Sequence, residues 1–130
     1  MKDEDWNEVW KRFYKPFRAG THLVVKPTWE AYTPQPGDLI MEIDPGMAFG
    51  SGTHETTGMC LELLEQVLKP GDRVMDVGTG SGILAIGAAL LGSQDVLAVD
   101  IDPTAVKVAK ENIAQNHLEN RIRATVGNLL

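Results

Sequence analysis

Apolar positions change period along this 130-residue chain, and each change marks an element. Trp6, Trp10, Phe13 and Phe17 recur every three to four residues, the spacing of one helix face. Asp3, Glu4 and Asp5 sit at its start and Lys11, Arg12 and Lys15 towards its end, which suits the helix dipole, so a helix is expected over 3–17, ended by Pro16. The aromatic stripe has two readings: packing against the domain or a neighbour, or a cofactor lid or docking surface. Two β-type runs follow, His22–Lys26 and Asp38–Ile43. Pro27, Pro34, Pro36 and Gly37 punctuate them and predict a hairpin-like pair with a long turn.

The next stretch, Asp44 to Thr57, carries three glycines and a proline before a run of hydroxyl residues. It reads as an ordered loop opening a helix, with Thr53 as N-cap and Glu55 in the favourable first turn. The helix should run to about Leu68 and bury Cys60, Leu61, Leu64 and Leu68. After a turn at Lys69–Asp72 the pattern alternates: strand 73–77, helix 81–91, strand 95–100, helix 103–116, strand 122–126. Gly92 suits the end of the middle helix, and Asp102-Pro103 is an N-cap followed by proline at the first helical position. Two successive strand–helix–strand units predict an α/β fold with a parallel sheet and right-handed crossovers.

Composition narrows the function classes. With 43% apolar and 23% charged residues the chain is an ordinary globular sequence. A net charge of −6 argues against direct nucleic-acid binding or adhesion to anionic membranes, and it is compatible with a basic protein substrate. A single cysteine, Cys60, excludes an internal disulfide framework and a cysteine-based zinc site, and no metal site is expected. Nothing resembles a signal peptide, and no apolar run approaches the roughly 20 residues of a membrane span, so a cytoplasmic location is expected.

The richest chemistry lies at Val74-Met75-Asp76-Val77-Gly78-Thr79-Gly80-Ser81-Gly82, a buried strand entering a glycine turn that opens a helix. The next strand ends on Asp100, about 22 positions after Gly78. A dinucleotide site wants Gly-x-Gly-x-x-Gly with a pyrophosphate on the helix N-terminus. Here the third glycine, Gly82, comes one residue early, and Asp76 would crowd a pyrophosphate. An acid there suits a cation, and the ammonium and sulfonium of S-adenosylmethionine are both positive. On this reading Asp76 meets the amino-acid end, backbone amides of the turn meet the ligand's carboxylate, and Asp100 accepts from the ribose hydroxyls. The plainer readings are that Asp76 caps the turn and that Asp100 is an incidental strand-end acid. His54 reads as a capping or exposed residue rather than a base, Cys60 as core, and no catalytic residue is nominated.

The pattern resembles the class I methyltransferases. The run Met41-Glu42-Ile43-Asp44-Pro45-Gly46-Met47-Ala48-Phe49-Gly50-Ser51-Gly52-Thr53-His54-Glu55-Thr56-Thr57 is similar to the signature of the bacterial ribosomal protein L11 methyltransferases. Tyr14–Phe17 and Lys26–Glu30 are similar to that family's linker. The resemblance implies a Rossmann-like fold that transfers methyl groups from S-adenosylmethionine to lysine side chains and the N-terminal amine of a large-subunit ribosomal protein. It implies cofactor contacts at Thr57, Gly78 and Asp100, with Phe49 and Gly50 over the cofactor near the methyl group. It places Val77, Ile101 and the Gly127-Asn128 turn along the adenine and ribose edges.

Set beside the family's pattern, residues 1–36 are a linker helix and a first strand, and 37–130 are an incomplete methyltransferase domain. Such a fragment is expected to be inactive alone and to self-associate through its exposed first sheet strand. The alternatives are a class I methyltransferase for another protein or a small molecule, a non-catalytic fragment, or an NAD-dependent oxidoreductase.

Overall fold

A computed structural model describes residues 16–43 and 54–127. The elements are β1 (Phe17–Ala19), β2 (Leu23–Pro27), β3 (Leu39–Ile43), α1 (His54–Val67), β4 (Arg73–Val77), α2 (Ile83–Leu90), β5 (Asp95–Asp100), α3 (Pro103–Gln115) and β6 (Ile122–Val126). The three strands after α1 have the expected bounds. Helix α2 starts at Ile83 rather than at 81, because Gly80 and Gly82 hold left-handed φ values of 56° and 88° that no helix accommodates. Asp102 caps α3 by accepting the Thr104 N–H at 2.9 Å, with Pro103 at the first helical position.

The first half of the chain corrects two expectations. Phe17 lies outside any helix and pairs with Val25 in an antiparallel β1–β2 ladder, while the rest of the aromatic stripe lies outside the described residues. The hairpin is therefore β1–β2, turning at Gly20, whose φ is 71°. The Glu65 carboxylate of α1 accepts the Thr21 N–H at 2.9 Å and the His22 N–H at 3.1 Å, which fixes this turn against the helix. The runs expected to pair as a hairpin, β2 and β3, are parallel instead. Their connection folds back to the start of the sheet, where Arg18 meets Asp38 at 2.9 Å and Tyr32 donates to Asp38 at 3.2 Å. Runs of apolar positions read the same in either strand direction, so the direction is settled by the register, which sets Leu23 opposite Leu39 and Pro27 opposite Ile43.

The second sheet has the order β4-β5-β6, all parallel. Stepping the same way twice with right-handed crossovers puts α2 and α3 on one face. That face and the first sheet enclose the main core among the described residues: Leu23 and Val25, Met41 and Ile43, Leu61, Ile86, Val96, Ala98 and Ile122 belong to one buried cluster. Residues on both sides of the 36/37 division thus share one sheet and one core. Gly87 lets α1 and α2 approach closely, since a Cβ there would fall 2.6 Å from Leu61 Cδ2. Of the residues expected to be buried by this helix, Leu61 is fully buried, Cys60 and Leu64 are half-buried, and Leu68, just past the end of α1, is half-buried too. On the other face of the sheet Met75 and Val77 are 57% and 64% exposed, and β4 is an end strand of the described sheet.

Candidate cofactor site at the strand ends

Parallel strands bring their carboxyl ends to one edge, and the glycine turn sits on that edge between β4 and α2. Its backbone is left-handed at Gly78, Gly80 and Gly82. A Cβ at Gly78 would meet nothing within 4 Å, so the turn faces open space there. A Cβ at Gly82 would come within 3.3 Å of the Ala109 side chain, so the third glycine serves close packing against α3. The compressed glycine spacing therefore divides its labour: Gly78 leaves room for a ligand, and Gly82 leaves room for a helix.

Four of the turn's amides have partners within the protein. Gly78 and Thr79 donate to the Val99 carbonyl at 2.7 and 3.0 Å, and Gly82 donates to the Thr79 carbonyl at 2.9 Å. Gly80 donates to Asp100 Oδ2 at 3.0 Å. These four N–H groups are engaged inside the protein: the turn leaves β4 beside the end of β5, where Gly78, Thr79 and Gly80 bond that strand, and Gly82 closes the turn on itself.

Asp76 and Asp100 lie on the helix-covered face, at the ends of neighbouring strands. Asp100 accepts one backbone N–H on each oxygen, Gly80 on Oδ2 and Asp102 on Oδ1 at 2.9 Å. A carboxylate has about four acceptor sites, so capacity remains for a diol. Asp76 is half-buried and accepts the Thr79 hydroxyl at 2.8 Å. Burial pushes its pKa above the ordinary value, and the Asp100 charge adds to the rise, against the opposing hydrogen bonds from Thr79 and the Ala85 N–H. A buried carboxylate in that state gains by meeting a cation. Next to this edge Val77 and Ile101 are largely exposed apolar side chains, the latter 71% exposed, which suits a flat aromatic base. The residues present fit an adenosyl amino acid.

A family model described as ribosomal protein L11 methyltransferase (PrmA) matches residues 1–129. The chain belongs to that family. A ribosomal protein L11 methyltransferase of Pelotomaculum thermopropionicum is 56% identical over 130 residues, all of this chain and 42% of that protein. The crystal structure of a ribosomal protein L11 methylase from Lactobacillus delbrueckii subsp. bulgaricus matches with a TM-score of 0.77 at 38% identity, over 87% of this chain and 56% of that one. A Trypanosoma brucei PRMT1 enzyme–prozyme heterotetrameric complex with AdoHcy matches with a TM-score of 0.52 at 31% identity, over 55% of this chain and 23% of that one. The chain spans about two-fifths of the length of the curated relatives it matches. The fold is the Rossmann-like fold of the class I methyltransferases, and membership of this family displaces the nicotinamide-dependent oxidoreductase reading.

Within this PrmA-family chain the structure gathers Asp76, Gly78, Gly80, Gly82 and Asp100 at one strand edge. Thr57 stands half-buried on the first turn of α1, a helix that packs against α2. Phe49, Gly50 and Asn128 lie outside the described residues. Gly127 donates to the Asp100 carbonyl at 3.0 Å and so joins the end of β6 to the same edge. No helix among the described residues is long and apolar enough to cross a membrane, and no metal-binding cluster occurs among them.

Sequence reasoning missed Thr79 and Asn112. Thr79 was hidden by the glycines around it, yet its hydroxyl orients Asp76. Asn112 left a usable signal: asparagine is a weak helix former, so one at a core-facing position of a helix implies a backbone partner. That partner is the Ser81 carbonyl, 2.9 Å away.

Proposed function

We propose that this chain carries the S-adenosylmethionine-binding edge of a protein methyltransferase. Its methyl acceptors are lysine side chains and the N-terminal amine of ribosomal protein L11. The observation that carries the reading is the placement of Asp76 and Asp100 near the ends of adjacent strands, beside a glycine turn that is open at Gly78. Family membership supports the reaction class, and the neighbour in complex with AdoHcy supports the ligand class.

In this proposal Asp100 holds the ribose hydroxyls, Asp76 faces the positive amino-acid end, and Val77 and Ile101 flank the base. Thr57, Phe49 and Gly50 complete the contacts implied by the family's motif. The bound cofactor supplies an electrophilic methyl group on a sulfonium. The chain's own contribution is orientation, since a lysine amine, with an ordinary pKa near 10.4, must arrive without its proton and in line. The net charge of −6 favours the approach of a basic protein.

Calorimetric titration with S-adenosylhomocysteine, with NAD in parallel, tests the reading. Binding of the first alone, weakened by Asp100→Ala, is the expected result. Equal affinity of Asp100→Ala and the native chain would remove the ribose assignment.

A further inference from the structure

Asn112 on α3 and Asn116 at its C-cap connect the glycine turn to the first sheet. Asn112 is 2% exposed, and its Nδ2 donates to the Ser81 carbonyl at 2.9 Å. One turn later, Asn116 Nδ2 donates to the Asn112 carbonyl at 2.8 Å and to the Glu42 carbonyl at 2.7 Å. Asn116 Oδ1 accepts the Glu42 N–H at 2.9 Å. The Asn116 carboxamide thus grips β3 as a neighbouring strand would, taking both backbone groups of one residue. Its orientation is dictated by its partners, since the reversed amide would set an oxygen against two carbonyls. Glu42 is held in turn by Lys26 at 2.8 Å and by Gln115 at 2.9 Å.

Apolar side chains would hold α3 to the core at lower cost, because every polar group taken inside must find its partners. What directed bonds add is placement. Ser81 is the residue between Gly80, which bonds the Asp100 carboxylate, and Gly82, which packs on Ala109 of the same helix. A shift of α3 along its axis would therefore move the turn relative to Asp100.

We propose that Asn112 is a positioning residue for the glycine turn and that Asn116, anchored on Glu42, braces it. The role deepens the cofactor reading above and rests on it. Neither asparagine touches the ligand; they fix the distance between the turn and the Asp100 carboxylate that the ligand must span.

The test uses the 130-residue chain, titrated with S-adenosylhomocysteine and monitored by backbone amide NMR. Asn112→Leu, which keeps the branch at Cγ and removes the donor, should weaken binding by about ten-fold. Asn116→Ala should weaken it by about three-fold, and the double variant should bind no more weakly than Asn112→Leu, because Asn116 acts through Asn112. Ile113→Val, matched for loss of thermal stability, should bind as the native chain does. Native-like affinity of Asn112→Leu, or full additivity in the double variant, would overturn the proposal. In the ligand-free chain Asn116→Ala should move the Ser81 and Gly80 amide resonances, and resonances that stay in place would also overturn it. Should Asn112→Leu not fold, Asn116→Asp takes its place: it loses the donors to the Asn112 and Glu42 carbonyls and sets a carboxylate oxygen against them, so the Ser81 amide should shift together with the Glu42 amide, and a Ser81 resonance that stays in place would overturn the proposal. Absence of binding by the native chain would sink the cofactor reading, and the ligand-free resonances would still decide the relay.

Discussion

Asp100 reaches from the end of β5 to accept the Gly80 N–H at 3.0 Å, so the acid and the glycine turn form one hydrogen-bonded unit. The other Asp100 oxygen takes the Asp102 N–H and starts α3. One side chain therefore sets the turn, launches a helix and keeps acceptor capacity for a diol. Asp100→Ala should lose about 1–3 kcal/mol of stability as well as ligand affinity. Asp100→Asn, which keeps one acceptor oxygen, should recover more stability than affinity. Urea unfolding beside S-adenosylhomocysteine titration measures both, and equal recovery of the two would refute the division of roles.

The two outer glycines of the turn should respond to alanine in opposite orders. Gly82→Ala carries a left-handed backbone penalty of about 1–2 kcal/mol and also presses on Ala109, so it should be the more destabilising substitution. Gly78→Ala carries only the backbone penalty, but its methyl group enters the open space above the turn, so it should cost more ligand affinity. Chemical denaturation ranks the first effect and calorimetry the second; the same ranking in both would contradict the assignment.

The pH dependence of stability has two opposing parts. Burial holds the folded Asp76 pKa above its ordinary 3.8, so its contribution is complete below that value and is lost as pH rises through the folded pKa. The folded pKa values of Asp38 and Glu42 are lowered, chiefly by hydrogen bonds from Arg18 and Lys26 respectively. Their contributions are present above the ordinary values of 3.8 and 4.5 and are lost as pH falls through the folded ones. The change in melting temperature on Asp76→Asn should therefore be more favourable at pH 7 than at pH 3. Thermal melts at the two pH values check this, and the reverse order would show that burial does not govern Asp76.

Glu65 should matter more than its position on a helix surface suggests. It holds the β1–β2 turn through the Thr21 and His22 N–H groups, and a side chain at Gly20 would collide with its carboxylate. Glu65→Gln keeps one acceptor oxygen and should cost less than Glu65→Ala, for which about 1–2 kcal/mol is expected. Faster amide exchange at Thr21 and His22 in Glu65→Ala, with exchange at Gly80 unchanged, would confirm that the effect is local.

Much of the second half was legible because its signals are local. The strand bounds 73–77, 95–100 and 122–126, the Asp102-Pro103 cap and the parallel order follow from periodicity, proline chemistry and crossover handedness. The position of Asp100 at a strand end near the turn was legible for the same reason. Phe17 was misplaced because a three-to-four spacing of aromatics continues across Pro16 on paper, while the chain beyond it pairs with β2.

By itself the sequence determined the element types from β4 to β6 and the family, and it singled out Asp76, Gly78–Gly82 and Asp100 as the candidate site. Those depend on residues close in the chain or on spacing between them. Only the tertiary structure decided that β2 and β3 run parallel, that the turn's amides are spent on Val99, Thr79 and Asp100, and that Asn112 holds Ser81. The reason is physical. A backbone N–H bonds whichever acceptor the fold brings within about 3 Å, and residue type says nothing about which carbonyl or carboxylate that will be.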